Sequence, residues 1–555
     1  MSDNVYWLIF TLFVTVAFSF VPEQWLKPAT PKLNNRAVIV QALLVTILFL
    51  IVSLIVQRLV FASLAVSIFL LILTAVSNAK FHALREPLVF SDIAMFSQAF
   101  KHPRLYFPFL GFWPVVIMPL MIVSLIYALF YIEPAMPFTG CRILLSLLVI
   151  VICFILAKKL ATEFQLNQDP AEDNATFGLL NSLFAYQLQS RSKQHQDYIV
   201  NALSKSPFIV KTPIDNTEKT PPSFFDVSSK QPPSKLHVPA HKSHNITVIQ
   251  SESFFDARRL SESIKPDVLK HFDACLNESI QHGKLDVPAW GANTMRTEFS
   301  FLTGLKYEDM GLYRYYPYQY LHKMPIVSLA KLLQAQGYYC VCIHPHPVSF
   351  FGRDRIFPQM GFDAFIDIND FDKKHTFGPY ISDQAVTEKI LQTSQLHAQK
   401  HKNKPLFIFA ITMENHGPLH LEKTTNDERK QYYSTEPLDD SNDLTVYLRH
   451  LNNADKMIAD LTTAFKQQDQ AHTLCFYGDH IPSMPKIYDA LCYEDKHSDY
   501  FIWNNLQTKI ANTGKTPNSD SDTQSLDTAI TKTPESKTIK VDSLAETLIK
   551  YAGLN

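Results

Sequence analysis

Side chains able to bind a metal follow four short apolar runs of the sequence, each at the point where the run ends. One such residue after a strand is usually a capping or surface group, but four sets together would be an unusual coincidence in a purely structural domain. Mixed carboxylate and imidazole ligands suit Mn²⁺ or Zn²⁺ better than Mg²⁺, which prefers oxygen ligands and retained waters. The pattern therefore predicts a metal site. In chain order, these residues are Glu252, His344 and His346, Glu414 and His416, and Asp479 and His480.

Two threonines could supply a nucleophile beside such a cation. Thr294 and Thr297 lie in the segment 290–299. A metal stabilises an alkoxide and so lowers the pKa of a nearby hydroxyl. Glu252, Asp479, His480 and one threonine would make a four-ligand site. The spacing leaves open which threonine takes part, and either could instead cap a helix.

The elements that must position these residues are short apolar strands separated by helices. Helical patterns at Ile326–Gln336 and Leu444–Gln467 lie between the apolar runs. This alternation predicts an α/β domain with a mainly parallel central sheet and helices on both faces. In such folds ligands bind beyond the carboxyl ends of the strands, where the candidate residues lie. The predicted strands are 246–250, 339–343, 406–412, 473–477 and 500–503.

The amino-terminal part of the chain is apolar. About 20 helical residues cross a bilayer, and most of the uncharged stretches here approach that length. They predict a multi-span α-helical membrane domain of about five helices over residues 1–160. The first stretch is not expected to be a signal peptide, because its leader carries no positive charge and no small-residue cleavage site follows. The stretches are Val5–Val21, Ala37–Val56, Leu59–Val76, Phe109–Ile132 and Ile143–Ala157.

Residues 161–244 are predicted to connect the membrane domain to a soluble domain at 245–555. The loosely spaced apolar residues of Thr162–Gln189 indicate a helix resting on the membrane surface, and Lys211–His244 is a proline-rich tether. Residues 513–540, rich in Thr, Ser, Asp and Lys, are predicted to form a disordered loop. Lys and Arg number 51 against 52 Asp and Glu, and this balance argues against a nucleic-acid partner.

Five motifs in order carry a resemblance to a known family. They are V-I-Q-S-E-S-F-F-D at 248–256, G-A-N-T-M-R-T-E-F at 291–299, H-P-H-P-V-S-F-F-G-R-D at 344–354, T-M-E-N-H-G-P at 412–418 and Y-G-D-H at 477–480. Together they resemble the lipoteichoic acid synthase and phosphoglycerol transferase branch of the sulfatase/alkaline phosphatase superfamily. The resemblance covers about 245–555, and an anchor of about five helices also fits it.

The resemblance implies an alkaline phosphatase/sulfatase-like fold and a role for each matching residue. Thr294 matches the nucleophile and also touches the metal, whose other ligands are Glu252, Asp479 and His480. The expected cofactor is one divalent cation, with Mn²⁺ favoured over Mg²⁺ and Zn²⁺. The sequence departs from the pattern at Phe351, where the most similar synthases tend to have tryptophan. This difference affects the expected contacts to glycerol phosphate, and so the identity of the head group. The remaining expected binding residues are Arg353 and His416 for the phosphate and head group, and His344 and His346 for the pocket wall.

The implied activity is transfer of a phosphoglycerol head group from a phosphatidylglycerol-like phospholipid to an envelope glycan or polymer. The reaction would pass through a phospho-threonine ester. The resemblance places the catalytic domain on the periplasmic or extracellular side of a bacterial inner membrane. Charge counting favours the opposite orientation, because Lys158 and Lys159 directly follow the fifth stretch. We follow the resemblance, since a lipid-consuming transferase must meet its acceptor.

Four alternatives compete with this prediction. A sulfatase needs Cys or Ser in a C/S-x-P-x-R motif, where this chain reads Asn293-Thr294-Met295-Arg296. A two-metal phosphatase or phosphodiesterase needs further Asp and His ligands. Phosphoethanolamine transferases share the threonine and the membrane anchor, but their soluble domains are expected to contain several disulfides. The predicted soluble domain of this chain has an odd number of cysteines, which argues against such a framework. A non-catalytic scaffold would be expected to lose at least one of the four ligands.

Overall fold

The computed structural model describes residues 2–93, 112–131, 133–135, 139–209, 244–401, 404–437, 439–506 and 534–554. The chain separates into two compact units, Met1–Tyr198 and Ile199–Asn555. The predicted proline-rich tether lies outside the described residues over 211–243.

The first unit is helical, and its long helices coincide with the predicted apolar stretches. By length and composition, four stretches of the described residues could cross a membrane: Tyr6–Glu23, Asn35–Val56, Leu59–Leu84 and Gly140–Ala161. A further apolar helix coincides with the fourth predicted stretch, and five spans stay a prediction. The helices are α1 (Ser2–Phe18), α2 (Phe20–Glu23), α3 (Asn35–Val56), α4 (Leu59–Leu84), α5 (Phe112–Tyr131), α6 (Gly140–Ala161), α7 (Pro170–Phe177), α8 (Leu179–Ser190) and, at the boundary between units, α9 (Lys193–Leu203).

The predicted helix at Thr162–Gln189 is divided into two, and its place on the membrane surface stays a prediction. The segment forms two helices, α7 and α8, separated by Gly178 at φ 84°. Phe177 and Ala185 are buried in one apolar cluster with Ala37 and Ala157 of α3 and α6. An amphipathic pattern is the same whether its apolar face meets lipid or other helices, so the sequence could not distinguish the two.

The second unit is built on a nine-stranded sheet. Its strands follow the order β10-β2-β9-β8-β1-β7-β3-β4, with β11 also paired to β2. Strands β8, β1, β7, β3 and β4 run parallel, and β9 runs antiparallel to both β8 and β2. The mainly parallel sheet is as predicted. The strands are β1 (Asn245–Ser251), β2 (Gln281–Asp286), β3 (Tyr339–Ile343), β4 (Ala364–Ile366), β5 (Thr376–Phe377), β6 (Tyr380–Ile381), β7 (Leu406–Ile411), β8 (His472–Gly478), β9 (Ser498–Asn504), β10 (Glu535–Ser536) and β11 (Ile539–Lys540).

Helices cover the sheet and enclose a large apolar core. Phe254, Phe476 and Trp503 at the sheet are each 0% exposed, and they belong to one cluster with Leu448 and Ile458 of the longest helix in this unit. The helices are α10 (Lys270–Glu278), α11 (Thr294–Thr303), α12 (Pro317–Leu321), α13 (Leu329–Ala335), α14 (Arg353–Ile356), α15 (Asp383–Lys400), α16 (Asn426–Tyr432), α17 (Asn442–Lys466), α18 (Pro485–Leu491) and α19 (Val541–Tyr551).

The prediction of a disordered loop over 513–540 is wrong for its last residues. Strands β10 and β11 within 534–540 pair in parallel with β2 at the edge of the sheet. The backbones approach closely at Gly283, where a Cβ would lie 2.4 Å from the carbonyl oxygen of Lys537. Glycine therefore permits this pairing. Residues 513–533 lie outside the described residues.

Candidate metal and nucleophile site

The carboxyl ends of three neighbouring parallel strands bring the first candidate residues together. The central strand β1 pairs Gln250 with Ile411 of β7 on one side and with Tyr477 of β8 on the other. The residues that follow these strands therefore emerge side by side. The amide of Glu252 donates to Thr412 Oγ1 at 2.9 Å, and the amide of Ser253 donates to Asp479 Oδ1 at 2.8 Å.

Two backbone features make this convergence possible. Ser253 adopts φ 55°, in the left-handed region, and its hydroxyl donates to Glu252 Oε1 at 2.9 Å. At Gly478 a Cβ would lie 1.8 Å from the carbonyl oxygen of Phe254, closer than two atoms can approach. Glycine before Asp479 therefore lets the turn after β1 pack directly against the end of β8.

Glu252, Asp479 and His480 form a compact set of possible metal ligands. Their ligand atoms lie within 4.8 Å of one another, and all three residues are buried. His480 Nε2 is 3.3 Å from Asp479 Oδ2 and 3.6 Å from Glu252 Oε1. Ligands about 2.1 Å from a tetrahedral cation lie about 3.4 Å apart, which agrees with these separations. The spacing of the three side chains fits one divalent cation.

The hydrogen bonding of this set also fits a cation. Within the described residues, neither Asp479 Oδ2 nor His480 Nε2 has a hydrogen-bond partner, although both are buried. His480 Nδ1 lies 2.9 Å from the carbonyl oxygen of Ile481, so a proton on Nδ1 leaves the Nε2 lone pair available to a metal. Burial and the nearby Asp479 carboxylate raise the pKa of Glu252. A bound cation would offset this unfavourable burial of two carboxylates.

The two threonines left open by the sequence occupy different places. Thr294 is the first residue of α11, and its hydroxyl donates to Glu252 Oε2 at 3.5 Å. Thr297 lies one turn later and is 0% exposed, and its hydroxyl donates to the backbone carbonyl of Asp479 at 2.7 Å. The Thr297 hydroxyl thus supports the backbone of Asp479, whereas the Thr294 hydroxyl faces the carboxylate of the ligand set.

Arg353 lies in the core with a partner that sequence reasoning missed. Its Nε and Nη2 donate to the two carboxylate oxygens of Glu298 at 3.0 and 2.8 Å. Burial lowers the pKa of Arg353, but the charge and hydrogen bonds of Glu298, with smaller effects of Tyr318 and Cys342, together outweigh burial and raise it. Glu298 belongs to the T-E-F motif, but that motif does not indicate a partner 55 positions later in the sequence.

The three candidate histidines lie close to Arg353 and Asp479. His344 is buried, and its pKa falls well below the usual value because of burial, then because of the charges of Arg353 and His346, with a smaller effect of His416. Burial lowers the pKa of His416, while its contact with Gly417 and the charge of Asp479 oppose this. The His344 and His346 rings are 5.8 Å apart. The structure therefore brings all the predicted site residues into one region, and their roles stay predictions.

A second buried polar cluster holds the loop that carries His416. Glu414 accepts from the amide of Asp383 at 2.7 Å and from His450 Nδ1 at 3.1 Å. His450 Nε2 reaches Glu422 Oε1 at 3.0 Å. Burial lowers the pKa of His450, but the hydrogen bonds and charges of Glu414 and Glu422 together outweigh burial and raise it to about 9. Sequence analysis missed His450, which has no motif and lies inside a helical pattern.

Comparison with known proteins places this site in a family. A capsular polysaccharide biosynthesis protein of Rhizobium meliloti (strain 1021), RkpI, is 28% identical over 457 residues, covering 78% of this chain and 75% of that protein. A putative cyclic beta-1,2-glucan modification protein of the same strain is 27% identical over 305 residues, covering 54% of this chain and 45% of that protein. The phosphoglycerol transferase GacH of Streptococcus pyogenes, solved with sn-glycerol-1-phosphate, is 19% identical with a TM-score of 0.42, covering 65% of this chain and 80% of that one.

The family match confirms the superfamily indicated by the motifs. The family described as Sulfatase matches residues 244–552, which include β1, α11, β8 and all the candidate site residues. This match covers more than half of the chain, so the protein belongs to the sulfatase family, within the alkaline phosphatase superfamily.

Proposed function

We propose that this protein is a membrane-anchored, metal-dependent transferase that moves a phosphoglycerol head group from a phospholipid to an envelope glycan. The observation that carries the proposal is the Thr294 hydroxyl, which lies 3.5 Å from Glu252 in a buried set with Asp479 and His480. This set combines a nucleophile with ligands for a cation, as phosphoryl transfer requires.

Each covalent step is a displacement at phosphorus. Thr294 Oγ1 loses its proton and forms a bond to the donor phosphorus, and the bond from phosphorus to the diacylglycerol oxygen breaks. The leaving oxygen takes up a proton, and Thr294 holds the phosphoglycerol as an ester. An acceptor hydroxyl then forms a bond to the same phosphorus, loses its proton, and returns Thr294 as a hydroxyl. The start of α11 favours this site, because the amino end of a helix carries partial positive charge.

The residues of the chain have separate tasks around the threonine. Glu252, Asp479 and His480 would hold a divalent cation, for which Mn²⁺ is our first candidate. When bound, the cation would lower the pKa of the Thr294 hydroxyl and balance the charge of the phosphoryl group. Arg353 would donate to a phosphoryl oxygen.

The three histidines would line the head-group side of the site. His344 is held by the carbonyl oxygen of Ile411, which lies 3.2 Å from its Nδ1. His416 is half-buried and lies against Tyr380, with ring centroids 5.4 Å apart. Neutral imidazoles at these places could donate to the hydroxyl groups of glycerol or accept from them.

Two observations support the choice of donor and acceptor. The chain's seven cysteines all lie in the described residues and are free, which argues against the disulfide-stapled framework expected of a phosphoethanolamine transferase. The relatives named for capsular polysaccharide biosynthesis and glucan modification make a glycan acceptor reasonable. A glycan acceptor in the envelope requires the second unit, Ile199–Asn555, which we call the catalytic unit, to face the periplasm or the cell exterior.

The test uses the full-length protein in detergent with head-group-labelled phosphatidylglycerol or phosphatidylethanolamine and a glycan fraction from the envelope. We expect diacylglycerol release and labelled glycan from phosphatidylglycerol. Thr294→Ala should abolish both. Thr303→Val should retain both, because the Thr303 hydroxyl on the same helix donates to the backbone carbonyl of Phe299. If only phosphatidylethanolamine is turned over, the head group is phosphoethanolamine and not phosphoglycerol. If only an aryl sulfate is cleaved, phosphoryl transfer is refuted.

A further inference from the structure

A buried carboxylate connects the helix of Thr294 to Arg353. Glu298 lies four residues after Thr294, so both side chains project from the same face of α11. The Glu298 carboxylate accepts from Arg353 Nε and Nη2 at 3.0 and 2.8 Å, and from the Tyr318 hydroxyl at 2.6 Å. Glu298, Arg353 and Tyr318 are at most 1% exposed. We call this contact between Glu298 and Arg353 the clamp. It is shielded from water, and its carboxylate is held by Arg353 and by Tyr318.

The clamp leaves one edge of Arg353 available. The guanidinium is a flat, rigid group, and Glu298 occupies its Nε/Nη2 edge. Within the described residues, the Nη1 group has no hydrogen-bond partner although it is buried. An unsatisfied buried donor costs free energy, so this edge is suited to an acceptor that arrives with a ligand. Fixing one edge of a rigid fork also fixes the direction of the other.

The backbone before Arg353 supports the same orientation. Phe351 at φ 57° and Gly352 at φ 76° are consecutive residues in the left-handed region. Such strain in a non-glycine residue is tolerated where the surrounding structure imposes it, and it often lies at functional sites. The ring of Phe351 lies 5.3 Å from the guanidinium carbon of Arg353. Arg353 is therefore constrained by its own turn as well as by Glu298.

Resting on the proposed function, we propose that Glu298 is a positioning residue that holds the free edge of Arg353 at a fixed place relative to Thr294. Arg353 then donates to one particular nonbridging oxygen of the phosphodiester when Thr294 attacks. Glu298 does not touch the substrate. Its charge offsets that of Arg353, so Arg353 contributes directed N–H groups rather than a net positive charge.

The two nonbridging oxygens can be distinguished with sulfur. Replacing one of them gives Rp and Sp phosphorothioate isomers of a p-nitrophenyl phosphodiester, and kcat/KM is measured for each with the full-length, Mn²⁺-loaded protein. The wild type should prefer one isomer. In Glu298→Gln this preference should fall about tenfold, which is less than the roughly 100- to 1,000-fold cost of losing a directed transition-state contact outright, because the Arg353 donors remain. Arg353→Lys should also lose the preference.

The control is Asp499→Asn, which removes another buried carboxylate that pairs with a different arginine, Arg259, at 2.8 Å. This variant should keep the wild-type isomer preference whatever its rate. Equal loss of rate for both isomers in Glu298→Gln, with the preference intact, would show a purely structural role and overturn the inference. If that variant does not fold, an unchanged preference in Arg353→Lys overturns it instead. A wild type inactive on both isomers refutes the proposed function itself, and the inference with it.

Discussion

Protonation of His450 should make the stability of the catalytic unit depend on pH in the alkaline range. Its folded-state pKa of about 9 lies above the ordinary value of 6.5. A raised pKa means that protonation stabilises the fold, so the contribution is complete below pH 6.5 and is lost as the pH rises through 9. At 1.36 kcal/mol per pKa unit, about 2.5 kcal/mol of unfolding free energy should be lost between pH 7 and pH 10.

The groups that set this pKa are known from the structure. Glu414 and Glu422 contact the two ring nitrogens of His450, and Arg449 pairs with Glu422 at 2.8 Å. Asp383 lies on the neighbouring helix α15, and its amide donates to the same Glu414. In His450→Gln the amide keeps the shape approximately but cannot become charged. The variant should therefore be less stable than the wild type at pH 7 by about 2–3 kcal/mol, and nearly equal to it at pH 10.

The assay follows urea unfolding of the full-length protein in detergent by maleimide labelling of buried cysteines. Cys275, Cys340, Cys342 and Cys475 are buried in the catalytic unit, and their labelling reports its opening. Other groups also titrate between pH 7 and 10, so the informative quantity is the difference between wild type and His450→Gln at each pH. A difference that stays constant from pH 7 to pH 10 would refute the reasoning.

Three further predictions concern the site and the membrane. Asp479→Asn should weaken Mn²⁺ binding, measured by calorimetry, by more than the roughly 100-fold loss that is typical when a metal ligand loses its hydrogen-bond partner. Chelation should abolish activity, and Mn²⁺ should restore it better than Ca²⁺. Gly478→Ala should lower the free energy of unfolding by about 3 kcal/mol, the upper range for overpacking, because the new Cβ would lie 1.8 Å from the Phe254 carbonyl oxygen. A urea midpoint equal to that of the wild type would contradict this. Protease added to intact spheroplasts should cut within 211–243 and release the catalytic unit, whereas cutting only after lysis would place it in the cytoplasm.

Much of the catalytic fold could be predicted from short apolar runs. Strand β7, LFIFAI, is continuously apolar, and β1 and β8 contain apolar runs in their centres, so the ends of these strands and the residues that follow them could be predicted directly. Strand β2 escaped notice because its sequence, QHGKLD, is polar and only partly buried. Short edge strands such as β10 and β11 have too few residues to produce a pattern.

The site was less predictable where contacts join distant parts of the chain. Thr294 and Thr297 have the same chemistry and lie one turn apart, so the choice between them depends on their neighbours in the folded protein. The Glu298–Arg353 pair joins residues 55 positions apart, and no local pattern signals such a contact. The same holds for His450, whose partner Glu414 follows a strand 36 residues earlier.

In the proposed reaction, Thr294 carries the head group during turnover. The most direct measurement is acid-quenched tandem mass spectrometry of the full-length protein during reaction with labelled phosphatidylglycerol. We expect a phosphoglycerol adduct on Thr294 that appears before labelled glycan and is absent from Thr294→Ala. An adduct on Thr297, or steady transfer to glycan with no adduct at any threonine of α11, would contradict it.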